Sequence, residues 1–92
     1  MTIDDERAQI RAVQQACDTQ AWLYAESGMS EGIVPVHYQP ALGDNSERIF
    51  ARIVRLWSDI DRPNAMIMLP DSPAGVGAFR RCRHTSINVA LA

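Results

Sequence analysis

Lysine is missing from this 92-residue chain, and all nine of its basic residues are arginines. A mechanism that needs a side-chain amine, such as Schiff-base formation, is therefore excluded within this sequence. Eleven aspartates and glutamates give a net charge of −2. There is no excess of positive charge to match a nucleic-acid backbone, so we expect no nucleic-acid partner.

Cysteine and long apolar runs are also scarce. Cys17 and Cys82 are too few for a disulfide scaffold and suit a reducing compartment. No apolar run approaches the ~20 residues that a membrane span needs. Residues 1–6 show neither the basic nor the apolar region of a signal peptide. We therefore expect a cytoplasmic protein with no membrane partner, no metal site and no cofactor.

The remaining composition is that of one globular domain covering residues 1–92, with 47% apolar and 22% charged residues. Three helical patterns alternate with three apolar, strand-like segments. Helices are predicted over residues 4–27, from the cap at Asp44 or Ser46 to residue 60, and over residues 73–83; strands are predicted over residues 33–38, 65–69 and 86–91. This α-β-α-β-α-β order predicts an α/β fold with a three-stranded parallel sheet and right-handed crossovers.

The helix starts carry capping signals. Thr2 with Asp5 resembles a capping box for the first helix. Asp44 or Ser46 is expected to cap the second helix. Ser72 is the predicted cap of the third, with Pro73 at its first position, and residues 75 and 77 are glycines that weaken this helix by ~1 kcal/mol each relative to alanine.

The segment at residues 55–75 carries a resemblance to a known family. It contains RLW followed by DRPNAMIMLP, and INV follows at residues 87–89. Bacterial transaldolases typically read R-L-W, then D-R-P-N-x-M-I-K-V-P, then I-N-V-N-V-T. Residues 32–40, GIVPVHYQP, resemble the family's G-x-V-S-x-E-V-x-P strand, and residues 42–47 resemble its L-x-x-D-T-E turn.

The resemblance implies an origin in an (α/β)8 barrel of the pentose phosphate pathway, an area of carbohydrate metabolism. The chain would correspond to about three consecutive strand–helix units, a partial TIM-type barrel. Transaldolases form a Schiff base between a lysine and a ketose phosphate. The family's lysine, glutamate and threonine positions are Met68, His37 and Ala92 here, and its asparagine is Ala90. No catalytic position is retained, so we expect a transaldolase-like pseudoenzyme.

In a second interpretation, the chain binds a ligand at a new site. His37, Asp71, Ser72 and Asn88 would then form a new site at the carboxyl ends of the strands, for a small molecule such as a sugar phosphate or for a new reaction. The plainer alternatives are that His37 is a polar residue at an open strand end and that Ser72 only caps a helix. The basic residues among positions 80–84 either bind an anion or form a solvated helix end.

Three parallel strands leave two sheet edges without partners. An unpaired edge exposes backbone donors and acceptors, and adding a strand from another chain satisfies them. We therefore expect a homo-oligomer or a complex with a partner protein. The two functions that remain are a non-catalytic assembly module or remnant, and a repurposed binding protein or enzyme centred on His37.

Overall fold

The computed structural model describes residues 3–92 and confirms the alternating order of helices and strands. The elements are α1 (Ile3–Glu26), β1 (Val34–His37), α2 (Ser46–Ile60), β2 (Ala65–Leu69), α3 (Pro73–Cys82) and β3 (Val89–Leu91). The expected α/β fold is thus confirmed. The predicted Thr2 cap lies outside the described residues.

The three strands form one parallel sheet in the order β1-β2-β3. Val36 pairs with Ile67, and Ile67 pairs with Val89. Neighbours in the chain are therefore neighbours in the sheet, as they are in a segment of an (α/β)8 barrel. The third strand begins at Val89, three residues later than predicted, because the preceding residues form a turn in which Ile87 donates its N–H to the Thr85 hydroxyl at 3.2 Å.

The cap of α2 differs from the prediction. Asn45, between the two expected candidates, is the N-cap, and its Oδ1 accepts the N–H of Arg48 at 2.9 Å. The Asp44 carboxylate is used elsewhere, where it accepts the N–H of Ala41 at 3.0 Å. The Ser46 hydroxyl points away from its own helix, so neither predicted residue is free to cap.

Gly77 allows α3 to pack closely on α2, and Gly75 allows α3 to pack closely on the loop that precedes it. Ser46 Oγ donates to the carbonyl of Ala74 at 3.0 Å across the contact. A Cβ on Gly77 would overlap the Ser46 side chain, and a Cβ on Gly75 would overlap the carbonyl oxygen of Pro70. The expected N-cap of α3, Ser72, is confirmed, since its Oγ accepts the N–H of Gly75 at 3.1 Å.

The hydrophobic core lies between the helices and one face of the sheet. Alternate residues of β2 are fully buried on this face, while the two methionines between them are only half-buried. The larger cluster joins α2, β2 and α3, and the smaller one joins α1 to the end of α2 and the start of β2. Their buried members are Ile49, Ile53, Ile67, Leu69, Ala78 and Cys82 in the first, and Cys17, Ile60 and Ala65 in the second.

A buried amide connects the smaller cluster to the sheet. Asn64 is only 2% exposed, and it directly precedes β2. Its Nδ2 donates to the carbonyl of Cys17 in α1 at 2.8 Å and to that of Gly32, before β1, at 3.0 Å. One side chain therefore joins three separate segments.

We predict that Asn64→Ala lowers the free energy of unfolding by about 2 kcal/mol, because it removes two hydrogen bonds made by a buried amide and leaves a cavity in its place. The free energy of unfolding is measured by urea denaturation, monitored by circular dichroism. Asn88→Ala is the matched control, since Asn88 also donates to two carbonyls but is less deeply buried. Equal losses in the two variants would contradict the role assigned to Asn64.

Gly75→Ala should lower the melting temperature, although alanine normally favours a helix. The added Cβ meets the backbone of Pro70, which cannot rotate away, and overpacking of this kind costs roughly 1–3 kcal/mol. Gly77→Ala should cost less, because its obstacle is the Ser46 side chain. A melting temperature that rises in Gly75→Ala would show that this contact is not tight.

Candidate functional site

The face of the sheet opposite the helices carries His37 and Met68, two of the positions that the resemblance aligns with catalytic residues of transaldolases. We call it the uncovered face; its residues are Pro35, His37, Met66, Met68, Asn88 and Ala90. The register places His37, Met68 and Ala90 in one row across the three strands. The three positions that the resemblance aligns with catalytic or neighbouring polar residues of transaldolases are thus side by side in space.

This row offers little reactive chemistry. Met68 supplies a thioether and Ala90 a methyl group, and neither is a nucleophile of the amine type. His37 is exposed, and its imidazole has no hydrogen-bond partner among residues 3–92. Ala92 follows β3, where its N–H donates to the carbonyl of Leu69 at 2.7 Å. An imidazole that can carry a proton is the only titratable group in the row.

The other proposed ligand residues lie at two different ends of the sheet. Asp71 and Ser72 follow the carboxyl end of β2, and the Ser72 hydroxyl is occupied as the cap of α3. Asn88 lies at the opposite end of the sheet. Its Nδ2 donates to the carbonyls of Pro63 at 3.0 Å and Ala65 at 3.4 Å, both at the amino end of β2. The length of β2 therefore separates Asn88 from the loop at Asp71.

Sequence reasoning missed a polar cluster beyond the carboxyl end of β1. The Asp44 side chain is only 4% exposed and forms an ion pair with Arg52. A hydrogen bond with the Tyr38 side chain, and next the charge of Asp44, raise the pKa of the Arg52 guanidinium. Asp44 and Arg52 are eight residues apart, in a loop and a helix, so no local spacing signals the contact.

The DRPN residues, which carry the most specific part of the resemblance, have structural roles. Asp61 ends α2 in the left-handed conformation at φ 50°. Arg62 Nε donates to Asp18 Oδ1 of α1 at 2.7 Å, and this hydrogen bond lowers the pKa of the Asp18 carboxyl. Together with Asn64, these residues hold the turn from α2 into β2 against α1. They do not face the row at His37.

Both cysteines are free and buried in the core. Burial is the largest cause that raises the pKa of the Cys17 and Cys82 thiols, so neither is activated as a thiolate. Among residues 3–92, no three histidine, cysteine or acidic side chains come together as metal ligands. No helix within this range is long and apolar enough to cross a membrane.

Comparison with curated proteins finds transaldolases as relatives of the chain. No family model matches the chain. The transaldolase of Thiobacillus denitrificans is 34% identical over 77 residues, which cover 84% of this chain and 21% of that protein. The transaldolases of Frankia alni and Mycobacterium ulcerans are 35% and 33% identical over 81 residues, covering 86% of this chain and 22% of each relative.

The chain spans about a fifth of the length of the curated relatives it matches. The match takes in most of its residues, and its parallel order of strands is that of consecutive barrel units. The relationship predicted from the DRPN segment is confirmed, and the chain is a transaldolase-family segment.

Proposed function

We propose that this chain is a transaldolase-like assembly module that has lost Schiff-base chemistry and pairs with a second copy of itself along the outer edge of β3. The observation that carries the proposal is a difference between the two edges of the sheet. One edge lacks a backbone donor, and the other has its donors and acceptors available.

The edge at β1 is poorly suited to pairing. Val34 donates its N–H to Asn64, before β2, at 2.8 Å, and Tyr38 donates to Met68 at 3.0 Å. Because backbone groups alternate in direction along a strand, Pro35 presents its backbone to the outside. Proline has no N–H, so an incoming strand would meet a missing donor at the middle of this edge.

The edge at β3, in contrast, has backbone donors and acceptors available for pairing. The Asn88 carbonyl accepts from Ile67 at 2.9 Å, and the Ala92 N–H donates to Leu69, so these groups point towards β2. The residues between them, Val89 and Leu91, therefore present their N–H and C=O groups outward. Leu91 is also 36% exposed. No strand within residues 3–92 pairs with this edge.

A second copy is the occupant that fits this edge. Two β3 edges related by a two-fold axis pair as antiparallel strands, and each supplies the same donors and acceptors to the other. The interface is then self-complementary, and the exposed Leu91 side chains are brought together. Pairing at this edge gives the outward N–H and C=O groups of β3 hydrogen-bond partners, and it requires no change in the packing of the helices.

The loss of catalysis is inferred from the row at His37. Met68 stands at the lysine position, and the 92 residues contain no other lysine that could take its place. The alternative of a sugar-phosphate site is not favoured by the geometry, because the Ser72 hydroxyl and the Asn88 amide are already hydrogen-bonded. Assembly therefore has the stronger support.

Light scattering coupled to size exclusion tests the assembly. We expect a dimer of the 92-residue chain and a monomer for Leu91→Pro, which removes an outward N–H but no bond to β2. Leu91→Ala is the matched control, because it keeps the N–H, and it should remain dimeric. Circular dichroism checks that each variant is folded.

A monomeric wild-type chain at about 100 μM, well above the ~1 μM Kd of a modest specific complex, would overturn the assembly proposal. Dissociation of Leu91→Ala to the same extent as Leu91→Pro would show that the side chain, and not backbone pairing, holds the copies together.

The loss of Schiff-base chemistry has its own test. Incubation with fructose 6-phosphate and borohydride should leave no reduced adduct on any side chain of the wild type, as judged by peptide mass spectrometry. Met68→Lys is the positive control, because a half-buried amine has a lowered pKa and forms an imine more readily. It should react more than Arg83→Lys, in which the new lysine is exposed. A side-chain adduct on the wild type contradicts the proposal.

A further inference from the structure

A basic groove lies between α1 and α2, on the helix side of the sheet and away from the uncovered face. It has a volume of about 450 Å³ and is lined by Arg7, Ile10, Arg11, Arg55 and Asp59. Three arginines from two helices thus border the groove together with one apolar residue. Neither the transaldolase resemblance nor the proposed assembly gives these arginines a role.

Hydrogen bonds join the two helices that border the groove. Gln14 Nε2 donates to the carbonyls of Asp59 at 3.2 Å and Ile60 at 3.1 Å, which anchors α1 to the end of α2. Arg7 and Arg11 are four residues apart and share one face of α1. Arg55 lies on the facing surface of α2, so the three side chains border the same space.

The charges in the groove are not balanced within the protein. Among residues 3–92, the ion pairs use Arg52, Arg62 and Arg81, and none uses an arginine of the groove. Asp59 is the single carboxylate among the lining residues, and it takes part in none of these pairs. The lining therefore carries three positive charges against one negative charge, in a chain whose net charge is −2.

We infer that the groove binds a small organic diphosphate. Clustered guanidinium groups repel one another, and a bound anion removes this cost. Each guanidinium presents a planar fork of donors that matches phosphate oxygens in a bidentate manner. The groove is open to solvent and has room for a small ligand, and its three arginines can together contact two phosphate groups. Ile10 supplies an apolar surface for the organic part.

The basic residues at the end of α3 provide a useful contrast. Arg80 and Arg83 are exposed, and their neighbour Arg81 pairs with Glu47 at 3.3 Å. They carry positive charge of the same kind, but they do not line the groove. If anion binding depends only on overall charge, substitution of Arg80 and Arg83 should therefore weaken it as much as substitution of the groove arginines.

Isothermal titration of the 92-residue chain with inorganic pyrophosphate tests the inference. The double variant Arg11→Gln/Arg55→Gln should raise the Kd at least about tenfold, because it removes two of three charge-assisted contacts. The control double variant Arg80→Gln/Arg83→Gln makes the same change in net charge and should leave the Kd within about twofold. Asp59→Asn should tighten binding, since it removes the one repelling carboxylate.

Three results would overturn the inference. They are the absence of pyrophosphate binding at millimolar concentration, an equal loss in the two double variants, and citrate binding as tight as pyrophosphate binding. Citrate binding of equal strength would show that the groove attracts anions in general and does not recognise phosphate. The oligomeric state of Arg11→Gln/Arg55→Gln should equal that of the wild type, so a failure here is distinguishable from a failure of the assembly proposal.

Discussion

The amide of Asn64 donates to two carbonyls that belong to different parts of the chain, and the arrangement of α1, β1 and β2 depends on it. Cys17, the only fully buried residue of α1 among those described, supplies one carbonyl, and Gly32 supplies the other. The backbone carbonyl of Asn64 also accepts the N–H of Val34 at 2.8 Å, which begins the pairing of β1 with β2. One residue thus determines the position of a helix and the register of two strands.

This constraint explains which part of the transaldolase sequence the chain keeps. DRPN forms the turn between α2 and β2, where Asp61 adopts the left-handed conformation, Arg62 pairs with Asp18 of α1, and Asn64 is buried. These are requirements of folding, and they hold whether or not the segment takes part in catalysis. His37 and Met68 lie on the uncovered face and take no part in the hydrogen bonds of this turn.

The sequence predicted those elements whose signals are local. The bounds of β2 follow from an apolar run between Asn64 and Pro70, and the start of α3 follows from Ser72 and Pro73. The cap of α2 could not be chosen from the sequence, because three adjacent residues can all cap. Asp44 is taken by Arg52. This contact depends on tertiary packing, which no local pattern contains.

The same limit applies to the candidate site. That His37 and Met68 share a face depends on the register between β1 and β2, since the period of two applies only within one strand. The position of Asn88 depends on where β3 begins relative to β2, and a short strand does not reveal this. Its amide therefore lies at the amino end of β2, away from Asp71. The groove at Arg7 and Arg55 likewise arises from two helices that are distant in sequence.

The difference between the two sheet edges also determines what kind of assembly is possible. A parallel sheet with two open edges can add copies at both sides and grow without limit. Pro35 removes the donor from the edge at β1, so growth through that edge is disfavoured. The proposed pairing at β3 would use the one edge with outward donors, and a two-fold axis would then close the assembly at two chains. α1 packs against β1 and α2, so the arginine groove lies away from the proposed interface.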